Sequence, residues 1–172
     1  IQNGGVTGNV ISTGSIVMRG ADSSAIRVDS DIGGALSLNG TYVTGGYLSN
    51  SPLSDQSGYE AGDILNGGSV VDVRANVGGG VLIAGMGVED DLDDDGDSIN
   101  EDTDTDDDAT ANILVYGSAP AVLLRADSGN IVIGPTASGY GLQNRGSITV
   151  NAIYAGRTAT GIRVEGVGPN TV

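Results

Sequence analysis

Short aliphatic segments, separated by glycine and small polar residues, are the feature of this sequence that most restricts its fold. Segments such as residues 25–28 and 147–150 are bounded by Gly, Asn, Asp or Ser, which is the pattern of short β-strands joined by turns. No window carries the sustained i, i+3, i+4 apolar spacing of an amphipathic helix. The 30 glycines leave little room for long helices. The sequence therefore predicts an all-β fold.

Thirteen strands are predicted from this pattern. They lie at residues 15–18, 25–28, 35–38, 41–43, 63–65, 69–73, 81–84, 112–116, 121–124, 130–133, 141–143, 147–150 and 161–164. In the second of them and the residue that follows it, apolar Ile26 and Val28 alternate with charged Arg27 and Asp29. Since successive side chains of a strand point to opposite faces of its sheet, each strand is expected to bury one face and expose the other.

Glycine positions predict an internal repeat. Gly14, Gly68, Gly117 and Gly146 each precede a serine where a strand opens, and Gly40 precedes a threonine. In chain order the intervals between these glycines are 26, 28, 49 and 29 residues. Removing an insertion of roughly 22 residues from the long interval leaves a unit of about 27 residues, a length typical of solenoids.

The fold class predicted from this repeat is a right-handed parallel β-helix, in which each coil contributes two or three short strands. We expect roughly five to six coils, each burying its apolar face against the next. One domain is expected to cover residues 1–172, as a piece of a longer chain. A β-sandwich is the alternative, because Asn-Gly pairs at residues 3–4, 39–40 and 66–67 are typical of antiparallel hairpins.

Two segments interrupt the strand pattern and are predicted to be lateral loops. Residues 45–62 form either a plain surface excursion or, through Tyr47 and Tyr59, a contact for a sugar or a partner. Residues 88–109 form the second insertion, whose part from 89 to 108 holds 13 acidic residues and no base. The remaining nine acids nearly balance the seven arginines, so the net charge of −15 is concentrated in this insertion.

The acidic insertion has the spacing of a calcium-binding loop. Calcium takes about six to eight oxygen ligands, often from alternate residues of a loop that turns at a glycine. One frame runs from Asp91 to Asp102 and matches the D-x-D-x-D-G opening of EF-hand-like loops, with Asp where Glu is usual at the end. A second frame runs from Asp93 to Asp104, and both frames contain Gly96.

The second frame, DDDGDSINEDTD, resembles the thrombospondin type 3 calcium repeat. The resemblance implies side-chain oxygens from five acidic ligands and the backbone carbonyl of Ile99. These five ligands are Asp93, Asp95, Asp97, Glu101 and Asp104. Further candidates, which belong to the first frame or continue the alternation toward a second ion, are Asp91, Asp102, Asp106 and Asp108. The alternative is a solvated acidic spur that repels itself in the absence of metal.

Composition restricts the possible chemistry. The chain has no Cys, His or Lys, so thiolate and imidazole ligands and the usual bases for a nucleophile are missing. The arginines are scattered along the chain, so we expect no nucleic-acid partner. The sequence contains no run of about 18 apolar residues, so no membrane-spanning helix is predicted. We predict no catalytic and no cofactor-binding residues, with calcium as the expected ion. The alternative is a polysaccharide-active enzyme using paired carboxylates, or Arg27, Arg74 or Arg163 as a base.

Two blocks of the sequence resemble the passenger region of alphaproteobacterial autotransporter-like surface proteins. The first is GDILNGGSVVDVRANVGGGVLIAG, followed by the acidic insertion and VYGSAPAVLL; the second is SGYGLQNRGSITVNAIYAGRTATGIRVEG. Together they lie within residues 61–166. The resemblance implies an exported right-handed β-helix displayed extracellularly at the bacterial outer-membrane surface.

The function expected from these features is that of a non-enzymatic structural and adhesive module, stabilised by calcium. Its expected partners are further copies of the same chain, through end-to-end or lateral assembly, or glycans and proteins of a cell surface. A further hypothesis is a filament subunit, because unpaired strand edges can pair with another chain.

Overall fold

The computed structural model describes residues 4–46, 57, 67–84, 111–153 and 156–172. Three of the sequence predictions fall wholly or mostly outside these ranges. They are the strand at 63–65, most of the loop at 45–62 with both of its tyrosines, and the whole acidic insertion at 88–109.

The described residues form ten strands and no helix. The strands are β1 Val10–Arg19, β2 Ile26–Val28, β3 Leu36–Gly45, β4 Val71–Val73, β5 Val81–Ile83, β6 Asn112–Tyr116, β7 Val122–Ala126, β8 Leu142–Asn144, β9 Ser147–Asn151 and β10 Ile162–Gly166. Accordingly, no helix in the part of the chain described here is long and apolar enough to cross a lipid bilayer.

The strands assemble into two parallel sheets. The first sheet has the order β8-β5-β3-β6-β9, with β1 added on β3, and the second has the order β10-β7-β4-β2. The long strand β3 joins two parts of the first sheet: its residue Leu36 is the partner of Val81 in β5, and its residue Thr41 is the partner of Asn112 in β6. Every pairing between described strands is parallel.

Columns of aliphatic side chains, one from each neighbouring strand, form the core. Val28, Val73 and Leu124 occupy one register position of the second sheet and are all buried. The first sheet buries Tyr42, whose hydroxyl donates a hydrogen bond to the carbonyl oxygen of Ser12 at 2.7 Å. Because equivalent residues stack in parallel register, aliphatic residues fill the interior of a chain that has no Phe or Trp.

The prediction of a right-handed parallel β-helix is wrong. The described strands form two parallel sheets, one of them branched at β3, and do not follow a regular coil of about 27 residues. The sequence separation between paired residues ranges from 26, for Val10 and Leu36, to 71, for Thr41 and Asn112. The β-sandwich alternative is wrong as well, because its antiparallel pairings are absent among the described strands.

The predicted glycine repeat is not observed in the strand pairing. Each glycine meets a local requirement of the backbone and does not determine which residues of two strands pair. Gly14 does pair with Gly40, where an added Cβ would lie 1.9 Å from the carbonyl oxygen of Gly14. Gly117, in contrast, directly follows β6. Gly146 directly precedes β9, and its neighbour in the sheet is Ala111 and not Gly117. The two-sheet register therefore follows the aliphatic columns.

The predicted positions of individual strands agree with the structure better than the predicted repeat does. The strand predicted at 112–116 has those bounds in β6, whereas the strands predicted at 35–38 and 41–43 are one continuous strand, β3. Its continuity is possible because Gly40 accepts the close approach of the neighbouring backbone. The segment 130–133 contributes only an isolated bridge, between Ile133 and Val77.

Candidate functional site

The predicted calcium ligands lie outside the described residues. This holds for Asp91, Asp93, Asp95, Asp97, Ile99, Glu101, Asp102, Asp104, Asp106 and Asp108. Their arrangement and the choice between the two frames therefore remain predictions. Within the ranges that the structure covers, no group of three or more His, Cys, Asp or Glu residues is arranged to hold a metal ion.

A groove on the outer face of the second sheet is lined by many charged and polar side chains. Its cavity volume is about 400 Å³. We call it the outer groove, and define it by its charged lining residues Asp22, Arg27, Asp72, Arg74, Arg125, Arg163 and Glu165. The groove thus gathers four of the seven arginines of the chain against three acids. Asp29 and Asp127, which bind three of these arginines, bring the acids to five, so the groove is close to neutral within a protein of net charge −15.

Strand alternation places these side chains on one face. Arg27, Asp72, Leu123 and Arg163 share one register position across β2, β4, β7 and β10. Each lies one residue from a column of aliphatic core residues, so its side chain points away from the core. Leu123 is the one apolar residue in this row of charged side chains. It lies in the groove beside Pro120.

A chain of alternating charges crosses three of the four strands. Arg74 binds both carboxylate oxygens of Asp72 through its Nε, each at 3.0 Å, and its Nη1 lies 2.7 Å from Asp127 Oδ2. Asp127 also accepts a hydrogen bond from Arg125 Nε. Arg125 Nη1 in turn lies 3.5 Å from Glu165 Oε1. The network joins β4 and β7 to β10 and neutralises most of their outward charge.

Asp72 anchors this network from a nearly buried position, with a side chain that is 5% exposed. Its fork-like pairing with the Arg74 guanidinium compensates for the loss of hydration of both ions. The hydrogen bond with Asp72 raises the pKa of Arg74 above its usual value, while burial works in the opposite direction, and the charges of Asp72, Asp127 and Asp29 add to the rise. Arg74 is therefore a permanent cation.

The two outermost strands of the sheet present more accessible arginines. Arg27 on β2 forms an ion pair with Asp29 at 2.9 Å, and its side chain is 47% exposed. Arg163 on β10 is also exposed, and none of the carboxylates that the structure describes lies within ion-pair distance of it. Among the groove arginines, Arg163 is therefore the one whose guanidinium is not paired with a described carboxylate.

A second cavity of about 300 Å³ adjoins the outer groove. It shares Arg27 and Arg74 with the groove and adds Asp29, Asp127 and Ser128. The charged face therefore continues beyond the groove toward the ends of β2 and β7.

The sequence contains a signal for this network that the analysis of single residues did not use. Each strand of the second sheet, taken with the residue that follows it, has an arginine and an acid two positions apart, in the segments IRVD, VDVR, LRAD and IRVE. Residues two apart on a strand share a face, so these pairs predict a common charged surface. Arg27, Arg74 and Arg163 were the candidates for a catalytic base in the sequence. Carboxylates bind Arg27 and Arg74, and all three arginines line the groove.

Comparison of the chain with protein-family models, with curated proteins and with solved structures finds no match. The resemblance to autotransporter-like passengers and to the thrombospondin type 3 repeat therefore remains an expectation based on the sequence.

Proposed function

We propose that this chain is a non-enzymatic structural and adhesive module of a bacterial surface protein or fibre, that it acts outside the cell, and that calcium stabilises it. The observation that carries the proposal is the pairing of a stacked aliphatic core with a self-neutralised outer face. Parallel ladders bury one residue of each strand in turn, and ion pairs connect the outward residues of neighbouring strands. Such a layered scaffold suits a stiff display module.

The pairing of carboxylates with arginines in and beside the groove supports a structural role over a hydrolytic one. Glycoside hydrolysis needs one carboxylic acid that donates a proton and one carboxylate that acts as base or nucleophile. Asp72 and Asp127 instead each accept hydrogen bonds from arginine, so guanidinium groups occupy their carboxylate oxygens. They are arranged as ion-pair partners of neighbouring strands.

Surface display is the part of the proposal that one experiment can test directly. An antibody raised against the purified chain is applied to intact cells of the source bacterium, before and after treatment with an external protease. The expected result is labelling of intact cells that the protease removes. Labelling that requires permeabilised cells and survives the protease would contradict an extracellular role.

End-to-end self-assembly is a second candidate function, supported by the exposure of core positions on β10. Ile162 and Val164 stand in the same columns as the buried residues Val122 and Leu124, but they are 42% and 57% exposed. Among the described strands, β10 and β2 are the two edges of the second sheet, and because every described pairing is parallel, the outer edge of β10 has the polarity needed to pair with β2 of another copy.

Sedimentation velocity over a range of protein concentrations tests this second candidate. Assembly through β10 predicts larger species at high concentration, which Val164→Asp removes by placing a charge in the contact. The matched control is Val132→Asp, which places the same charge at an exposed valine outside the ten strands. A single species at all concentrations, or equal loss of assembly in both variants, would rule out this mode of stacking.

A further inference from the structure

We propose that the outer groove binds an acidic oligosaccharide, with a uronate carboxylate held by Arg163 and one edge of the sugar ring against the small exposed part of Leu123. This inference rests on the proposed adhesive function and names the class of ligand that the module would recognise.

Charge is the first argument. The chain as a whole has 22 acids and 7 bases, and it therefore repels anions over most of its surface. In the outer groove four arginines meet three acids. Carboxylates neutralise Arg27, Arg74 and Arg125, so the attraction for a ligand carboxylate comes from Arg163.

The availability of hydrogen-bond donors is the second argument. A guanidinium has five N–H donors in a planar fork that fits a carboxylate. Arg74 directs its donors to Asp72 and Asp127, and Arg125 directs its own to Asp127 and Glu165. Arg163 forms no ion pair with a described carboxylate and is exposed at the groove. Its guanidinium can therefore receive the ligand carboxylate.

The mixture of groups around Arg163 favours a sugar acid over a bare phosphate or sulfate. Leu123, which is 8% exposed, is the register partner of Arg163 on the neighbouring strand, and with the buried Pro120 it forms a small apolar part of the groove lining. The rim also has carboxylates, Asp22 and Glu165, which repel an inorganic dianion but accept hydrogen bonds from hydroxyl groups. A uronate has an anionic group, hydroxyl donors and an apolar ring face, so it matches all three features.

The dimensions of the groove agree with such a ligand. Its volume of about 400 Å³ lies within the range of small-molecule sites, which is about 300–1,000 Å³. Neighbouring strands are about 4.8 Å apart, so Arg27 on β2 and Arg163 on β10, three strand spacings apart, stand about 14 Å from each other along one register row. An oligomer can therefore reach both arginines with carboxylates of different sugar units.

The test is isothermal titration of the purified chain with a short oligogalacturonate, with its methyl ester, and with sodium sulfate. Methylation removes the negative charge of each unit while keeping the ring and its hydroxyl groups. We expect the acid form to bind, its methyl ester to bind at least about tenfold more weakly, and sulfate to give no saturable heat. The tenfold figure corresponds to the loss of a charge-assisted hydrogen bond.

Variants then locate the site. Arg163→Ala is expected to weaken binding of the acid form by about tenfold or more, and Arg163→Lys, which keeps the charge but loses the fork, by less. Arg157→Ala, which removes an exposed arginine that does not line the groove, is expected to bind like the parent. Circular dichroism and the urea midpoint confirm that each variant folds.

Three outcomes would overturn the inference. They are equal affinity for the acid and its ester, unchanged affinity in Arg163→Ala, and no saturable heat with any of the sugars. Saturable binding of sulfate alone would show a simple anion site and would reject the sugar as well. Because the surface-labelling experiment does not depend on any ligand, a failure here leaves the proposed extracellular role to be judged separately.

Discussion

Two Arg–Asp pairs of the second sheet have the same spacing along their strands but very different surroundings. Asp29 pairs with Arg27, and Asp72 pairs with Arg74, in each case two residues apart. The Asp29 side chain is 23% exposed and its arginine is nearly half exposed, whereas the Asp72 side chain is 5% exposed and its arginine is 27% exposed. Burial therefore decides which of these pairs matters for stability.

We predict that Asp72→Ala lowers the free energy of unfolding by about 1–3 kcal/mol, because it removes a charge-assisted, nearly buried partner of Arg74. The matched variant Asp29→Ala should cost about 1 kcal/mol or less, as expected for a pair screened by water. Urea unfolding followed by circular dichroism measures both values. An equal loss in the two variants would contradict the role assigned to burial.

The pH dependence of this pair follows from the same contacts. The pKa of Arg74 is raised in the folded chain, so its contribution to stability is fully present below the pKa of the unfolded state and is lost only as pH rises through the higher folded value. Both values lie in strongly alkaline solution. The Arg74 cation therefore supports the fold throughout the ordinary working range of pH.

At the scale of the strand, the position within an aliphatic column determines what each valine contributes. Val73 on β4 and Val164 on β10 belong to the same column, with Leu124 between them. Val73 has neighbours on both sides and is fully buried, while Val164 lies on the last strand and is 57% exposed. The contribution of burial is therefore large in the middle of the sheet and small at its edge.

We predict that Val73→Ala lowers the free energy of unfolding by about 2–3 kcal/mol, which combines the lost burial of two carbon atoms with a cavity. Val164→Ala should cost less than about 1 kcal/mol, because water already reaches that side chain. Chemical unfolding at low protein concentration compares the two. A large loss in Val164→Ala under these conditions would show that β10 is covered in solution.

At the scale of the whole molecule, charge is distributed very unevenly. Thirteen of the 22 acids lie between residues 89 and 108, while the outward acids of the second sheet are paired with arginines. The acidic insertion is therefore where a cation is expected to act. Its effect should appear as a change in the stability of the entire chain.

We predict that 10 mM calcium raises the free energy of unfolding by about 1.4–2.7 kcal/mol, which is the linkage expected for a dissociation constant of about 0.1–1 mM. A variant in which Asp93, Asp95 and Asp97 are changed to Asn should lose this gain. Thermal unfolding, with sodium chloride at the same ionic strength as the control, separates binding from screening. Equal stabilisation by both salts would contradict a calcium site, and partial retention in the variant would favour the frame that begins at Asp91.

The sequence alone was sufficient to predict local features of several strands. The alternation of Ile26 and Val28 with charged neighbours predicted a half-buried strand, and the strand at residues 112–116 has its predicted bounds. These succeed because the side-chain period of a strand is a property of the backbone itself. The shared face of Arg27 and Asp29 follows from the same period, so part of the charged surface was already present in the pattern.

The pairing of strands was decided by the tertiary structure. Glycine spacing predicted a regular coil, but Thr41 pairs with Asn112 across 71 residues and Val10 pairs with Leu36 across only 26. Two parallel strands can be connected by segments of very different length above a minimum of about a dozen residues, and the cost of closing a longer connection grows only slowly with its length. Register is therefore set by which aliphatic columns pack best, and that packing also brings Arg27, Arg74 and Arg163, distant in sequence, into one groove.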